Sequence, residues 1–402
     1  MSGLLRKCRL AVAAAVVSWG GGANAQSPLP QAVAPGANLE VYVMTMGPGD
    51  MIWERFGHNA IGIRDRDAGT DIVYNWGVFD FTEADFLPRF IRGEMRYRVE
   101  PVDALLSIEY YRRSNRSVWI QELALTPAQR VALKTFVEWN ALEANKYYRY
   151  DYFADNCSTR ARDALDKALG GIIQRQFAGA GSGRSFRDEA RRLADADLLY
   201  TGIDIGLGTP SDREMSRHEA MFIPMVLQEG LREVEVADTN GVMRPLVAAE
   251  RDVFLATRPA TLAAPVNHQA RYALIALGIT LLLALMAKVS PRAERVGAAV
   301  WCVVAGLLGV LLVILWGFTR HVWAYQNVNL LYLNPLWWGL AWLVLRQGPL
   351  QGRARTFVVG LAALAAIGVV LGLLRTPQRA EQVALLVAMP HAWVLARRWR
   401  AA

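Results

Sequence analysis

The pattern of apolar and polar positions divides the chain into two regimes. From about residue 26 to residue 268, apolar and charged residues are mixed, and short alternating runs lie between stretches with helical spacing. After Arg271 the sequence is almost wholly apolar. The chain therefore predicts a substantial soluble domain with its own core, followed by a region that lies in a membrane.

Within the first regime, alternation of apolar and polar residues predicts strands and a period near 3.6 predicts helices. Thr126 before Pro127 is a typical helix start, because Thr caps the first turn and Pro is favoured at its first position. Strands are predicted at residues 39–46, 58–64, 71–76, 97–100, 118–123 and 147–152, and helices at 85–92, 103–113, 126–142 and from 157 onward. This mixture indicates an α+β domain.

The second regime predicts an all-α transmembrane bundle of about five helices. A bilayer needs roughly 20 apolar residues per helix. The candidate spans are residues 272–289, 296–318, 328–345, 357–374 and 383–396. The fifth span is the shortest, and it carries Pro390 and His391.

The first 25 residues have the features of a secretory signal peptide. Arg6, Lys7 and Arg9 precede an apolar run, and the small residues Ala-Asn-Ala follow at positions 23–25. We therefore predict three parts: a signal peptide at 1–25, a periplasmic domain at 26–268 and a transmembrane domain at 269–402.

Basic residues are unevenly distributed among the loops between the spans. If there are five spans, three groups fall on one side: Lys288, Arg292 and Arg295; Arg346, Arg353 and Arg355; Arg397, Arg398 and Arg400. The positive-inside rule then predicts a bacterial inner-membrane protein with a cytoplasmic C-terminus and a periplasmic soluble domain. The net charge of +8 is thus explained by topology and anionic lipid, and nucleic-acid binding is not expected.

Cys157 is the candidate nucleophile of the soluble domain. Of the three cysteines, Cys8 lies in the signal peptide and Cys302 in a span, so Cys157 has no disulfide partner in its own domain. Asp155 or Asn156 would cap the helix that opens at Cys157, and the positive end of a helix dipole favours the thiolate. The alternative is that Cys157 is a small buried hydrophobic residue.

His58 is the natural base for such a thiol, since it is the only histidine before His218. A cysteine nucleophile needs a group that takes its proton and later returns it to a leaving group. The base needs an orienting acceptor in turn, and Asn75 and Asp155 are the candidates. One cysteine and scattered histidines show no metal-ligand spacing, so neither a metal nor a cofactor is expected.

These residues lie in motifs that resemble a known family. The motifs are Phe56-Gly57-His58, Tyr74-Asn75-Trp76-Gly77 and Asp155-Asn156-Cys157-Ser158-Thr159-Arg160. They resemble the periplasmic domain of the Lnb-type lipoprotein N-acyltransferases. That group is similar to circularly permuted NlpC-type, papain-like folds such as lecithin:retinol acyltransferase, in which a His precedes an Asn-Cys pair. The resemblance implies His58 as base and Cys157 as nucleophile, with supporting roles for Asn75, Asp155, Asn156, Ser158 and Arg160.

The resemblance continues into the membrane half at His321, at residues 327–331 and at residues 334–336. The loop at 320–327 joins spans two and three on the same side as Cys157. Asn329 and Asn334 enter an apolar span, where an amide needs partners. We expect them to line the site with His321 and Asn327, and to hold a lipid headgroup or the substrate peptide.

Asp204, Pro210 and Asp212 are predicted to lie in a loop. The segment at residues 221–227, which follows it, has two interpretations. The preferred one is a core helix with a proline kink at Pro224. The other is an apolar surface that lies on the bilayer and admits acyl chains.

The leading functional hypothesis is a membrane-bound thiol acyltransferase. Cys157 would take an acyl chain from a membrane phospholipid or a lipoprotein as a thioester. By the resemblance, the acceptor is the N-terminal Cys amine of a bacterial lipoprotein. One alternative is a membrane-tethered NlpC-like hydrolase, either a cell-wall amidopeptidase or a phospholipase, with water as acceptor. A second is a non-enzymatic sensor or transporter subunit, which the few ionisable residues inside the spans disfavour.

Overall fold

An antiparallel sheet forms the centre of the soluble half. The computed structural model describes residues 34–194, 198–346 and 348–400, so the predicted signal peptide with Cys8 lies outside the described residues. The strands in these ranges are β1 Leu39–Met46, β2 His58–Asp65, β3 Thr70–Val78, β4 Arg96–Asp103, β5 Val118–Leu123, β6 Tyr147–Arg149, β7 Gly181–Ser185, β8 Glu214–Ser216, β9 Glu235–Ala237, β10 Met243–Pro245 and β11 Val247–Phe254. Seven of them form the main sheet in the order β11-β5-β1-β2-β3-β4-β6, while β7 pairs with β8 and β9 with β10.

Nine helices of the soluble half appear in the described ranges. They are α1 Phe86–Arg92, α2 Ala104–Arg113, α3 Pro127–Ala141, α4 Cys157–Ala168, α5 Ile172–Phe177, α6 Phe186–Leu193, α7 Leu198–Gly206, α8 Arg217–Ala220 and α9 Pro224–Leu231. The domain is therefore α+β, as the pattern of its sequence predicts.

Both faces of the sheet are covered by apolar cores, and successive side chains of β1 point into one core and then the other. Val41 and Val43 face the core that includes residues of α3 and α4. Tyr42, Met44 and Met46 face a second core that includes α2. Alternating residues of a strand point to opposite faces, so a strand that is apolar on both sides must lie inside a layered domain.

Two segments of the soluble half differ from the prediction. The strand predicted at 147–152 ends at Arg149, since Asp151 turns to pair its backbone with Asp155 at 3.0 Å in both directions. Around Asp204 a loop was predicted, but Asp204 lies in α7 and is buried. There its carboxylate forms an ion pair with Arg191. This partner belongs to another helix, so the sequence around Asp204 does not predict that the charge is buried.

The segment at 221–227 belongs to the core. Met221, Phe222 and Ile223 are buried, and Pro224 is the first residue of α9. Proline is favoured at a first helical position, so the chain needs no kink there.

The membrane half consists of α10 Gln269–Val289, α11 Pro291–Gly317, α12 Leu336–Leu345, α13 Gly352–Leu373 and α14 Glu381–Arg400. Four segments within the described part of the chain are long and apolar enough to cross a membrane: Gln269–Val289, Pro291–Gly317, Val328–Leu345 and Gly352–Leu373. The third includes a short 3₁₀ turn, Val328–Leu331, before α12.

The fifth helix, α14, is not among those four, yet it runs the length of the bundle. At one end Glu381 pairs with Arg191 of the soluble half at 3.2 Å. At the other end Arg397 pairs with Glu294 near the start of α11, and Arg398 Nε donates to the Leu343 carbonyl at 2.9 Å. Its 20 residues span about 30 Å, the thickness of the hydrocarbon core.

Candidate active site

The start of α4 is built by the side chain of Asn156. Its Oδ1 accepts from the N–H groups of Ser158 at 2.9 Å and Thr159 at 3.0 Å, which caps the helix. Its Nδ2 donates to the carbonyl oxygens of Phe222 at 2.9 Å and Tyr152 at 3.1 Å. Asn156 therefore fixes the position of its neighbour, the first helical residue, instead of offering free polar atoms.

Cys157 is that first residue of α4, and its side chain is 9% exposed. The backbone N–H groups of Asn59, Ser158 and Cys157 itself lie close enough to the sulfur to lower the pKa of the thiol, against the larger raising effect of burial. A methyl group added at Gly77 would lie 3.5 Å from the Cβ of Cys157. The thiol thus lies where α4 meets β2 and β3.

His58 is the first residue of β2, next to Asn59, whose backbone N–H lies close to the sulfur. Gly57 before it has a φ of +84°, and a Cβ there would lie 2.8 Å from the Met46 carbonyl oxygen. Only glycine fits both conditions. The close backbone contact at Gly57 therefore fixes the position of the next residue, His58.

Asn75 determines which imidazole nitrogen carries the proton. Its Nδ2 donates to the Val73 carbonyl at 3.1 Å, so its Oδ1 faces His58 Nε2 at 3.2 Å. Nε2–H is then the donor and Nδ1 carries the lone pair. The ring also stacks on Tyr111, with 6.3 Å between the centroids. The imidazole is therefore held in one orientation and one tautomer, with the lone pair on Nδ1.

Burial keeps both groups neutral. It lowers the pKa of His58 to about 4, with a further lowering by the nearby Arg116 and a smaller opposing effect from Asn75. Burial also raises the pKa of Cys157, although the surrounding N–H groups lower it. The position at a helix start predicts a thiolate, but desolvation of the charged form outweighs the helix dipole here. The resting pair is therefore a thiol and an imidazole.

A cavity of about 490 Å³ opens at these residues. Its lining includes His58, Asn156 and Cys157. Most of the remaining wall is apolar, including Ile52, Trp53, Phe56, Phe79, Phe90, Met95, Tyr97, Tyr150, Tyr152, Phe153, Ile203, Leu207 and Phe222. The membrane half contributes Leu315, His321 and Ala324 to the lining. A mostly apolar cavity with a few convergent polar groups is the usual form of a small-molecule site.

The other residues of the Cys157 motif have structural partners. Ser158 Oγ donates to the Met221 carbonyl at 2.6 Å. Arg160 pairs with Asp155 through Nη2 at 2.7 Å, and its guanidinium lies 4.1 Å from the centre of the Tyr148 ring. Asp155 is thus engaged with Arg160, and of the two candidate orienting residues it is Asn75 that contacts His58.

The four predicted residues of the membrane half separate in the structure. His321 lines the cavity, with Nε2 3.0 Å from the Phe90 carbonyl oxygen. Asn327 and Asn329 are buried outside that lining, and their Nδ2 groups donate to carbonyls at the end of α7, including that of Ile205 at 2.8 Å and 2.9 Å. Asn334 donates to the Leu331 carbonyl at 3.1 Å. The three amides therefore join backbone segments, and only His321 faces the cavity.

Two residues near the site carry no signal in the sequence. Tyr111 stacks on His58, and the guanidinium of Arg116 lies 4.7 Å from the centre of the Tyr111 ring. Arg116 is buried and pairs with Glu54 at 3.3 Å. Their contribution depends on packing between distant elements, so no spacing or motif marks them.

Among the residues that the structure describes, no three His, Cys, Asp or Glu side chains are grouped so as to hold a metal ion. The site offers a buried thiol and an imidazole beside an apolar cavity.

Comparison with known proteins agrees with this division of the chain. Residues 26–190 match the family model of the Lnb N-terminal periplasmic domain, and residues 263–398 match that of the Lnb transmembrane domain. No curated protein and no solved structure matches the chain. Because the two matches cover both halves in order, the chain belongs to the Lnb family of membrane proteins with a periplasmic domain.

Proposed function

We propose that this protein is a cysteine-dependent acyltransferase that moves a lipid acyl chain, through a thioester on Cys157, to the N-terminal amine of a bacterial lipoprotein. One observation carries the proposal: Cys157 and an oriented His58 open onto an apolar cavity whose far wall belongs to the membrane half. An acyl chain fits such a lining, because aromatic and aliphatic walls favour the removal of its methylene groups from water.

In the first step, the Cys157 sulfur attacks the carbonyl carbon of a lipid ester. His58 Nδ1 takes the thiol proton and gives it to the departing alkoxide, so the thioester forms while an alcohol leaves. The thiol needs this base, since its raised pKa leaves little thiolate at neutral pH. We assign stabilisation of the negative oxygen of the tetrahedral intermediate to the backbone N–H groups of Asn59 and Cys157, which lower the pKa of the thiol in the resting site.

In the second step, the acceptor amine attacks the thioester carbonyl. The amine loses a proton to His58, which returns it to the departing sulfur of Cys157. An amide has formed, the thiol is restored and no external oxidant or reductant is required. Asn75 holds the imidazole in one tautomer through both steps.

The apolar wall also favours transfer over hydrolysis. A cavity that takes Leu315, His321 and Ala324 of the membrane half into its lining is suited to lipid-anchored donors and acceptors. A hydrolase would need water at the thioester, and expulsion of water from an active site suppresses that side reaction.

We also propose an inner-membrane location with the C-terminus in the cytoplasm. The contacts of Arg397 with Glu294 and of Arg355 with the Trp399 ring bring the basic segments to the end of the bundle away from the soluble domain. A cluster of Arg and Lys at one end is typical of the cytoplasmic side. Reporter fusions at the C-terminus test this, and a periplasmic signal would contradict it.

The function is tested with a reporter lipoprotein in a bacterial host that lacks its own N-acylation activity. Mass spectrometry of the reporter N-terminus should show an added amide-linked acyl chain when the wild-type protein is expressed. Cys157→Ala should abolish it, while the matched variant Cys302→Ala, which removes the other described cysteine from α11, should retain it.

Two results would count against transfer. An N-acylated reporter with Cys157→Ala at normal membrane abundance would exclude Cys157 as nucleophile. Release of free fatty acid without any amide-linked chain would identify a hydrolase instead. A thioester on Cys157, isolated in the absence of acceptor and cleaved by hydroxylamine, would support the proposed intermediate.

A further inference from the structure

A second pocket, of about 400 Å³, lies beside the first. Three arginines line it, Arg96, Arg149 and Arg320, together with a single acidic residue, Glu94. Met95 lines both cavities, so the two are separated by little more than one side chain. Three arginines against one acidic residue give this lining an excess of positive charge, which favours an anionic ligand.

Two of the arginines face each other across the sheet. Arg96 of β4 and Arg149 of β6 are directly paired in the antiparallel register. Like charges at opposed positions destabilise a strand pair. No carboxylate oxygen in the described ranges lies within 4.0 Å of either guanidinium; Arg96 instead lies 3.7 Å from the Tyr147 ring centre, and Arg149 donates to the Arg320 carbonyl at 3.2 Å. The repulsion between these two arginines destabilises the strand pair locally, and a bound anion would remove it.

The third arginine places the pocket at the level of the membrane boundary. Arg320 follows α11, which ends at Gly317 and is long and apolar enough to span a bilayer. The backbone here contacts α1 closely, because a Cβ at Gly93 would lie 2.8 Å from the Arg320 carbonyl carbon. Arg320 also pairs with Glu94 at 3.2 Å. The Glu94 carboxylate is thus engaged with Arg320 and does not neutralise the other two arginines.

We propose that Arg96, Arg149 and Arg320 form a binding site for a phosphate group, presented by an anionic phospholipid headgroup at the outer surface of the membrane. Arginine suits this ligand because its planar fork donates two parallel hydrogen bonds to phosphate oxygens. The inference goes beyond the acyl-transfer proposal and does not depend on it. The site would hold the soluble domain against the lipid surface beside the apolar cavity.

The test uses the delipidated full-length protein in a neutral detergent. Native mass spectrometry and thermal unfolding would follow binding of phosphatidylglycerol, of diacylglycerol, which lacks the phosphate, and of inorganic phosphate. We expect phosphatidylglycerol to bind and to raise the thermal midpoint, and diacylglycerol to do neither. Binding of inorganic phosphate with equal affinity would show that the site takes free phosphate rather than a headgroup.

Variants distinguish this site from general attraction of lipid to a basic protein. Arg96→Gln with Arg149→Gln should weaken phosphatidylglycerol binding about 30-fold, since each arginine near a lipid surface contributes about 1 kcal/mol. The matched control is Arg112→Gln with Arg113→Gln, which removes the same charge from exposed positions on α2. It should bind like the wild type.

The opposed pair gives a second readout that loss of folding would not mimic. Without lipid, Arg149→Glu should raise the thermal midpoint, because it converts a like-charge pair with Arg96 into an attractive one. It should also abolish the rise caused by phosphatidylglycerol. The proposal is overturned if the double glutamine variant, stably folded, binds phosphatidylglycerol as tightly as the wild type.

Discussion

Two clusters of buried polar side chains lie in apolar surroundings, and they differ in how fully their polar atoms are used. The first, which we propose to be catalytic and call the catalytic cluster, is His58, Asn75 and Cys157. The joint cluster connects the soluble half to the membrane helices, and its members are Arg187, Arg191, Asp204, Asp212, Asn327, Asn329 and Glu381. In the joint, Arg191 holds both oxygens of Asp204 at 2.7 Å and 3.0 Å and reaches Glu381 Oε1. Among the buried side-chain atoms of these seven residues, only Glu381 Oε2 lacks a hydrogen-bond partner in the described part of the chain. In the catalytic cluster, Asn75 occupies one nitrogen of His58, and Cys157 opens onto the cavity.

The difference separates structural polar groups from those available for chemistry. A buried amide or charge needs partners, and a group that has them contributes to stability and position. Asn329 illustrates this, because its Nδ2 donates to the carbonyls of Asp204 and Ile205 and its Oδ1 accepts from the Tyr332 hydroxyl. A base must keep a lone pair free, as Nδ1 of His58 does. Polar residues in an apolar setting therefore mark both clusters, but they do not show which cluster is available for chemistry.

The largest expected effect is on the rate when the base is removed. His58→Gln keeps most of the side-chain volume but cannot accept and return the proton, so the rate of acyl transfer should fall about 10²–10⁴-fold. The thermal midpoint should change little by comparison. His218→Gln, outside the cavity lining, is the matched control and should keep the wild-type rate. Equal losses in the two variants would remove His58 from its proposed role.

Next in size is the effect of breaking the joint. Asp204→Ala leaves the buried Arg191 without its main partner, and loss of one member of a buried pair costs about 3–5 kcal/mol in the free energy of unfolding. Thermal unfolding in detergent measures this. Asp163→Ala, which removes an exposed partner of Arg162, should cost less than about 1 kcal/mol. A comparable loss in both would show that the joint is no stronger than a surface ion pair.

A smaller effect is expected for an amide of the joint. Asn329→Ala leaves buried backbone carbonyls without a donor, which costs about 1–3 kcal/mol of stability. The transfer rate per folded molecule should be unchanged. Asn240→Ala, at an exposed turn, should alter neither quantity. A raised KM with unchanged stability would instead mean that Asn329 contacts the substrate, as the sequence predicts.

The smallest expected effect is that of pH near neutrality. Because the pKa of His58 is about 4, the imidazole stays unprotonated in an assay run between pH 5 and pH 8. The rate of acyl transfer should therefore vary little over that range. Below about pH 4, protonation removes the base and the rate should fall tenfold per pH unit. Alkylation of Cys157 in a Cys302→Ala background should accelerate only at alkaline pH, since burial raises the pKa of the thiol. Fast alkylation at pH 6 would reveal a thiolate–imidazolium pair.

Local pattern determined most of the elements. The strands predicted at residues 39–46 and 118–123 are observed with those bounds, because the period of two along a strand is a local property of the sequence. The caps at Thr126 and Asn156 predict two helix starts for the same reason. The family resemblance rests on such local motifs, and the two domain matches confirm it.

Tertiary structure alone decided how the polar residues are used. The sequence places Asn75 and Asp155 equally as partners of His58, and only the pairing of β2 with β3 brings Asn75 to the imidazole while Arg160 takes Asp155. It also predicts a thiolate at Cys157, whereas the depth of burial makes the thiol the resting form. Hydrogen-bond saturation and desolvation depend on what the rest of the chain packs around a group, so no local pattern of residues encodes them.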